Sequence, residues 1–240
     1  MEGFSYTNIF ETKGIEYIAV IIFLAMLVPF SILLNKKVRI NIQVKKALGF
    51  LTANILRIPQ GVFHSKNHTW AFMENSGEAK VGLDDLLLHI TGEIKLRSLK
   101  NTGEKINRGD IIIEIDQNGK QLQVSSPISG TIMNSNDKVK ANSELVNEDP
   151  YGNGWIYKIK PTAWKIETYS CFLADEATDW SKKEIDRFKD FLAESVKKYS
   201  PDQSMVALQD GGELRDNTLS ELPDEVWKDF QKDFLNVSVI

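Results

Sequence analysis

The chain has 240 residues, 42% of them hydrophobic and 26% charged, proportions that exclude wholesale disorder and collagen-like repeats. A single cysteine, Cys171, excludes a disulfide framework and a cysteine-based zinc cluster. The net charge of -4 is unevenly placed: residues 35–73 carry Lys36, Lys37, Arg39, Lys45, Lys46, Arg57 and Lys66 with no acid, and the acidic surplus lies beyond them. An acidic body of this kind argues against nucleic acid as a partner, because counterion release needs a basic surface against the phosphates.

From Tyr17 to Leu34 the sequence reads YIAVIIFLAMLVPFSILL, without a charge. Extended back to residue 15, this stretch at about 1.5 Å per residue spans a hydrocarbon core of about 30 Å. Pro29 and Ser31 are better tolerated in a membrane helix than in a soluble one. A cleaved signal peptide would need a basic leader and a small-residue cleavage site, whereas the run ends in Asn35-Lys36-Lys37. The expectation is therefore one N-terminal transmembrane helix over 15–34. The cations after it and the acids before it predict residues 1–16 outside and the rest in the cytoplasm, a single pass through the inner (cytoplasmic) membrane with the lipid bilayer as a partner.

Residues 35–66 read as a basic juxtamembrane helix or linker. Within them 42–56 has helical spacing, with Val44, Leu48, Leu51 and Ile55 on one face. That pattern suits an interfacial helix on anionic headgroups, or equally a connector packed on the following domain.

Between residues 67 and 162 the texture changes to short β-type runs punctuated by Gly and Asn. Strands are predicted near 69–74, 79–83, 93–99, 111–116, 120–125, 129–135 and 155–160, with a short helix over 84–90 capped by Asp84 or Asp85. Asn118-Gly119 lies between two β-type runs, the sequence signal of a two-residue type I′ hairpin, in which both central residues take positive φ.

These runs carry a resemblance. His68-Thr69-Trp70, Val81-Gly82-Leu83, TGEIKLRSLKNTGEKINRGD (91–110), SPISGTIMNSN (126–136) and above all ELVNEDPYGNGWIYKIK (144–160) are similar to the H-protein of the glycine cleavage system. The resemblance implies a mainly β fold, the barrel-sandwich hybrid of lipoyl-type domains, with a modified lysine at an exposed hairpin tip. In that family the lysine sits within a Glu-Ser-Val-Lys-Ala hairpin and carries a lipoyl arm that moves between enzymes. Counted back without gaps from Pro127-Ile128-Ser129-Gly130, the lysine slot falls on Gly119 and the glutamate on Asp116, while Lys120 lies one residue past the slot.

Three readings of Lys120 compete: a lipoyl site reached through a shifted turn, a domain that has lost the cofactor and kept the fold for docking, or an ordinary solvated strand residue. Moving one position along a strand sends a side chain to the opposite face, which favours a domain without cofactor. Lipoate on Lys120 is the alternative.

Other chemistry is thin. His64 and His68 are four apart without a third ligand, His89 reads as a packed surface residue, and Cys171 has no histidine partner in its surroundings. No catalytic set and no metal site is expected.

Residues 163–240 form an acidic, α-helical C-terminal extension. Ser181-Lys182-Lys183-Glu184 reads as a capping box, followed by the stripe Ile185, Phe188, Leu192, Val196 and Tyr199. A second helix starts at Pro223 with Val226, Trp227, Phe230 and Phe234 on one face. Such a pair must bury its stripes on each other, on the barrel or on a partner. The leading expectation is a membrane-anchored, H-protein-like interaction subunit without catalytic activity, beside protein partners in a membrane complex, a redox complex among the candidates.

Overall fold

The computed structural model describes residues 17–30, 50–52, 55–199 and 214–236. The chain divides into two compact units, Met1–Leu48 and Gly49–Ile240. In the first, residues 17–30 form helix α1, whose apolar side chains are exposed. Among the described residues no helix is long and apolar enough to cross a membrane. Residues 15, 16 and 31–34 of the expected span lie outside the described ones, as do residues 1–14 and 35–49.

The second unit is built on antiparallel strands. Strands β2 (Phe63–His64), β3 (Thr69–Met73), β4 (Ala79–Leu83), β10 (Tyr157–Pro161), β9 (Gly130–Ser135) and β6 (Lys105–Ile106) form one sheet in that spatial order. A second sheet is β5 (Lys95–Ser98), β7 (Ile111–Gln117) and β8 (Lys120–Ser125). Their inner faces supply Val81, Leu83, Ile113, Ile115, Leu122, Val124, Ile132 and Ile159, all buried. Strand β8 alternates as a half-buried strand requires, whereas β7 is buried at four consecutive positions, 112–115, beside a register shift between Ile111 and Ile113. Tyr157 ties the sheets together: from β10 its hydroxyl reaches the carbonyl of Ile112 on β7 at 3.1 Å and accepts from the Lys100 amide at 3.1 Å.

Close packing fixes some residue choices. A Cβ on Gly82 would lie 2.7 Å from the Trp70 ring, which covers it from β3, where the two residues pair across the sheet. Helix α2 (Asp85–Thr91) is capped by Asp84, whose carboxylate accepts from the Leu87 amide at 2.8 Å. Helices α3 (Asp137–Ala141) and α4 (Glu144–Glu148) lead into β10.

Beyond the sheets come α5 (Trp164–Thr168) and the long α6 (Asp175–Tyr199). Residues 214–236 then add strand β11 (Leu214–Arg215), a 3-10 turn (Thr218–Glu221), and α7 (Asp224–Asp229) running into a π-helical turn (Phe230–Leu235). The mainly β domain with a helical C-terminal extension is as expected from sequence.

Two local expectations are corrected. Phe50 and Leu51 form strand β1, paired antiparallel with β11, so a helix over 42–56 does not continue through its second half. Helix α6 begins at Asp175 rather than at a capping box on Ser181. Ser181 lies inside the helix, donating from Oγ to the Thr178 carbonyl at 2.8 Å. The earlier start has a tertiary cause: Ala177 and Trp180, in the added turns, are buried, and Trp180 stacks on Phe172 with centroids 5.0 Å apart.

Candidate functional site

The site singled out by sequence is the tip of the β7–β8 hairpin. Gln117 pairs with Lys120, and Asn118 and Gly119 between them have φ of 54° and 86°. That is the two-residue turn whose twist matches the flanking strands. Gly119 is at the apex, and nothing lies within 4 Å of where its Cβ would be. The apex position, which the gap-free count along the sequence equates with the family's lysine slot, is therefore sterically open and carries no side chain.

The tip is held from both strands. Gln117 Nε2 donates to the carbonyls of Thr91 and Glu93, fixing the end of β7 to the C-terminal end of α2. Lys120 Nζ donates to the carbonyls of Ser220 at 3.1 Å and Leu222 at 2.5 Å, and lies 5.8 Å from the centre of the Trp227 ring. Farther along β8, Gln231 binds the backbone of Gln123 twice: its Oε1 accepts from the amide at 2.6 Å and its Nε2 donates to the carbonyl at 3.1 Å. A side-chain amide thus imitates a neighbouring strand and covers the edge of the hairpin sheet. Residues 214–236 act as a cap over the face of β8.

The cap is anchored in apolar material. Leu219, Val226, Trp227, Phe230 and Phe234 are buried, as are Ile185, Phe188 and Leu192 of α6. Phe230 and Phe234 stack with centroids 4.7 Å apart, and Phe188 meets both edge-on. The stripe of the second helix, and that of α6 as far as Leu192, are therefore covered within the chain itself, while Tyr199 at the end of α6 is partly exposed.

Two acid–imidazole–acid bridges join these elements to the sheets. His68, fully buried, has Nδ1 2.9 Å from Asp84 and Nε2 3.6 Å from Glu184 on α6, and its ring stacks on Phe234 at 5.2 Å. Burial alone would push the imidazole down, but Asp84 and Glu184 outweigh it and raise its pKa to about 9. The half-buried His89 lies 2.9 Å from Asp216 of the cap and 3.5 Å from Asp85. Here too the two carboxylates overcome burial and raise the pKa to about 9. Arg57 completes this second cluster through a 2.6 Å contact with Asp85.

Among the described residues no group of three or more ligating side chains is found. Cys171 is buried, its thiol pKa raised by burial. The role of His68, His89 and Gln231 was not legible from sequence, because their partners lie far away along the chain and no local spacing announces them.

The family model for the glycine cleavage H-protein matches residues 62–184. The chain belongs to the glycine cleavage H-protein family. It is similar to a probable glycine cleavage system H protein of Thermococcus gammatolerans, 33% identical over 106 residues, covering 44% of this chain and 78% of the relative. It is also similar to the glycine cleavage system H protein of Coprothermobacter proteolyticus, 28% identical over 127 residues, covering 50% of this chain and all of the relative. Among solved structures, a glycine cleavage system H protein from Mycobacterium marinum aligns at 24% identity with a TM-score of 0.41, over 44% of this chain and 87% of that one.

The family's lipoyl group does not fit Lys120 as placed here. An arm needs a free, exposed amine at the apex. This one sits beside the apex and donates to two main-chain carbonyls.

Proposed function

We propose that this H-protein family member works without a lipoyl arm, as a docking module in a membrane-associated protein complex. The observation that carries the reading is the hairpin: Gly119 at the apex and the Lys120 amine engaged by the cap. Amide formation at Lys120 would remove its charge and leave a single N–H, so at most one of the two bonds survives, and the attached arm would have to displace residues 220–222 from the strand. A non-catalytic role follows, since in this family the chemistry belongs to the arm and to the enzymes it visits. The uncharged run 17–34, followed by a cation-rich stretch, supports an N-terminal anchor with the domain on the cytoplasmic side. An anchor suits a component fixed beside a membrane complex, redox complexes included, better than a carrier diffusing among soluble enzymes.

The test is the intact mass of the full chain purified from its own membranes, with peptide mapping across 111–135. The expected result is an unmodified Lys120 in cells whose other lipoyl proteins are fully modified. A lipoyl group on Lys120 would overturn the reading and make the protein a tethered carrier.

A further inference from the structure

Six large apolar side chains of the second unit are exposed among its described residues, and two of them stand apart. Tyr199, Phe72, Ile111 and Met133 are 36–41% exposed, whereas Ile166 and Tyr169 are 79% and 92% exposed. They are three apart, on α5 and just beyond it, the spacing that puts side chains on one side of a helical turn.

The projection is held in place from beneath. Trp164 meets Phe63 edge-on at 5.3 Å, and the Thr168 hydroxyl donates to the Trp164 carbonyl at 2.7 Å. Glu167, the acid of this segment, is turned inward, accepting from the Ser129 amide at 2.7 Å and from its hydroxyl at 2.5 Å. Arg108 donates to Ser170 Oγ at 2.7 Å, and Lys160 and Lys165 are exposed. An apolar pair is thus presented beside the exposed Lys165 and the Arg108–Ser170 contact, while Glu167, the carboxylate between the two in sequence, is occupied.

We propose that this face contacts an anionic lipid bilayer, with Ile166 and Tyr169 entering the headgroup region and Arg108, Lys160 and Lys165 meeting the phosphates. A tyrosine with an apolar body and a polar tip is suited to that depth, and flanking cations gain from the negative surface. The proposal rests on the reading of the N-terminal run as an anchor, and the sequence then says why the bilayer is the partner. Residues 35–49 join the end of that run to β1, and at full extension they reach only roughly 50 Å. Tethering at this length gives millimolar effective concentrations, so a patch of two apolar side chains suffices where it would not hold a free protein.

The experiment uses the full chain carrying Cys171→Ala, reconstituted into vesicles of phosphatidylethanolamine and phosphatidylglycerol that contain, in separate preparations, a headgroup-depth quencher lipid for positions 166 and 76 and a mid-chain quencher lipid for position 23, which lies near the centre of the run 15–34. Single cysteines bearing an environment-sensitive fluorophore are placed by Ile166→Cys, by Phe23→Cys in α1, and by Ser76→Cys in the exposed β3–β4 loop. Ile166→Cys is expected to be quenched several-fold more than Ser76→Cys, with the difference reduced when phosphatidylglycerol is omitted. Equal quenching at Ile166→Cys and Ser76→Cys, with Phe23→Cys quenched, overturns the docking face and leaves the anchor standing. An unquenched Phe23→Cys overturns the anchor, and with it the tether on which the docking face rests.

Discussion

The His68 bridge makes the stability of this protein depend on pH in a window set by the histidine itself. His68 holds its proton in the folded state up to about 9, against 6.5 for an unperturbed imidazole. Because the folded value is raised, the stabilisation is fully present below pH 6.5, where folded and unfolded chains are both protonated. It drains away between pH 6.5 and 9, where only the folded chain keeps the proton, and is gone above. Two and a half pH units at 1.36 kcal/mol each correspond to about 3 kcal/mol, and His89, shifted in the same direction, adds to the slope. His64, whose pKa is lowered by burial, acts on the other side: its contribution is lost as pH falls below 6.5, so it leaves the alkaline window untouched. Urea unfolding of the full-length chain in detergent, followed by tryptophan fluorescence between pH 6.5 and 9.5, is expected to show stability falling with pH. His68→Gln, which keeps a donor toward Asp84, should flatten that dependence by about 1 kcal/mol per pH unit. Parallel curves for the two proteins would refute the assignment of a charged His68 bridging Asp84 and Glu184.

Phe230→Ala should cost about 3–5 kcal/mol, because the ring is fully buried among Phe188, Phe191 and Phe234 and its removal leaves a cavity at the centre of the cap; an unchanged urea midpoint would mean that the cap is not packed as described. Lys120→Ala removes two charge-assisted bonds to the Ser220 and Leu222 carbonyls and should lower stability by about 1–3 kcal/mol. Hydrogen exchange at residues 218–222 and 120–125 would rise together if that contact holds the cap to β8, and rates unchanged at both would count against it.

What could be read from sequence was what short-range physics controls. The Asn118-Gly119 turn, the strands β7 and β8 on either side of it, and the Asp84 cap each depend on a few neighbouring residues, and the structure places them within a residue of expectation. Strands β2 and β6, two residues each, are too short to leave a period. The start of α6 was missed because Ala177 and Trp180 gain burial against the barrel, and tertiary packing carried the helix past a locally adequate capping box. The same limit hid the site's polar frame: Glu184 reaches His68, and Asp216 reaches His89, only after the chain has folded back. That Lys120 lies off the apex was visible by counting. That its amine is spent on the cap was not, since nothing in Ser220 or Leu222 marks a backbone carbonyl as a partner.

If the hairpin carries no arm, as proposed, the position of the lysine and the occupation of its amine are separable explanations, and Gly119→Lys separates them. The substitution puts a primary amine at the apex, where nothing lies within 4 Å of the new Cβ. With φ at 86° a side chain there costs about 1 kcal/mol, which a hairpin pinned through Gln117 and Gln231 can absorb. The new amine cannot be engaged as Lys120 is, because the bonds to Ser220 and Leu222 are already made. If position and freedom of the amine are what the natural chain lacks, Gly119→Lys should acquire a lipoyl group in cells with active lipoylation, mapped to residue 119, while Lys120 in the same molecule stays unmodified. Modification of Lys120 in either protein would refute the reasoning from the hairpin. Absence of modification at residue 119, with the variant folded and its thermal midpoint lowered only slightly, would move the cause from the tip to the cap: residues 214–236 would then be what denies the lipoylating enzyme its footing on β8.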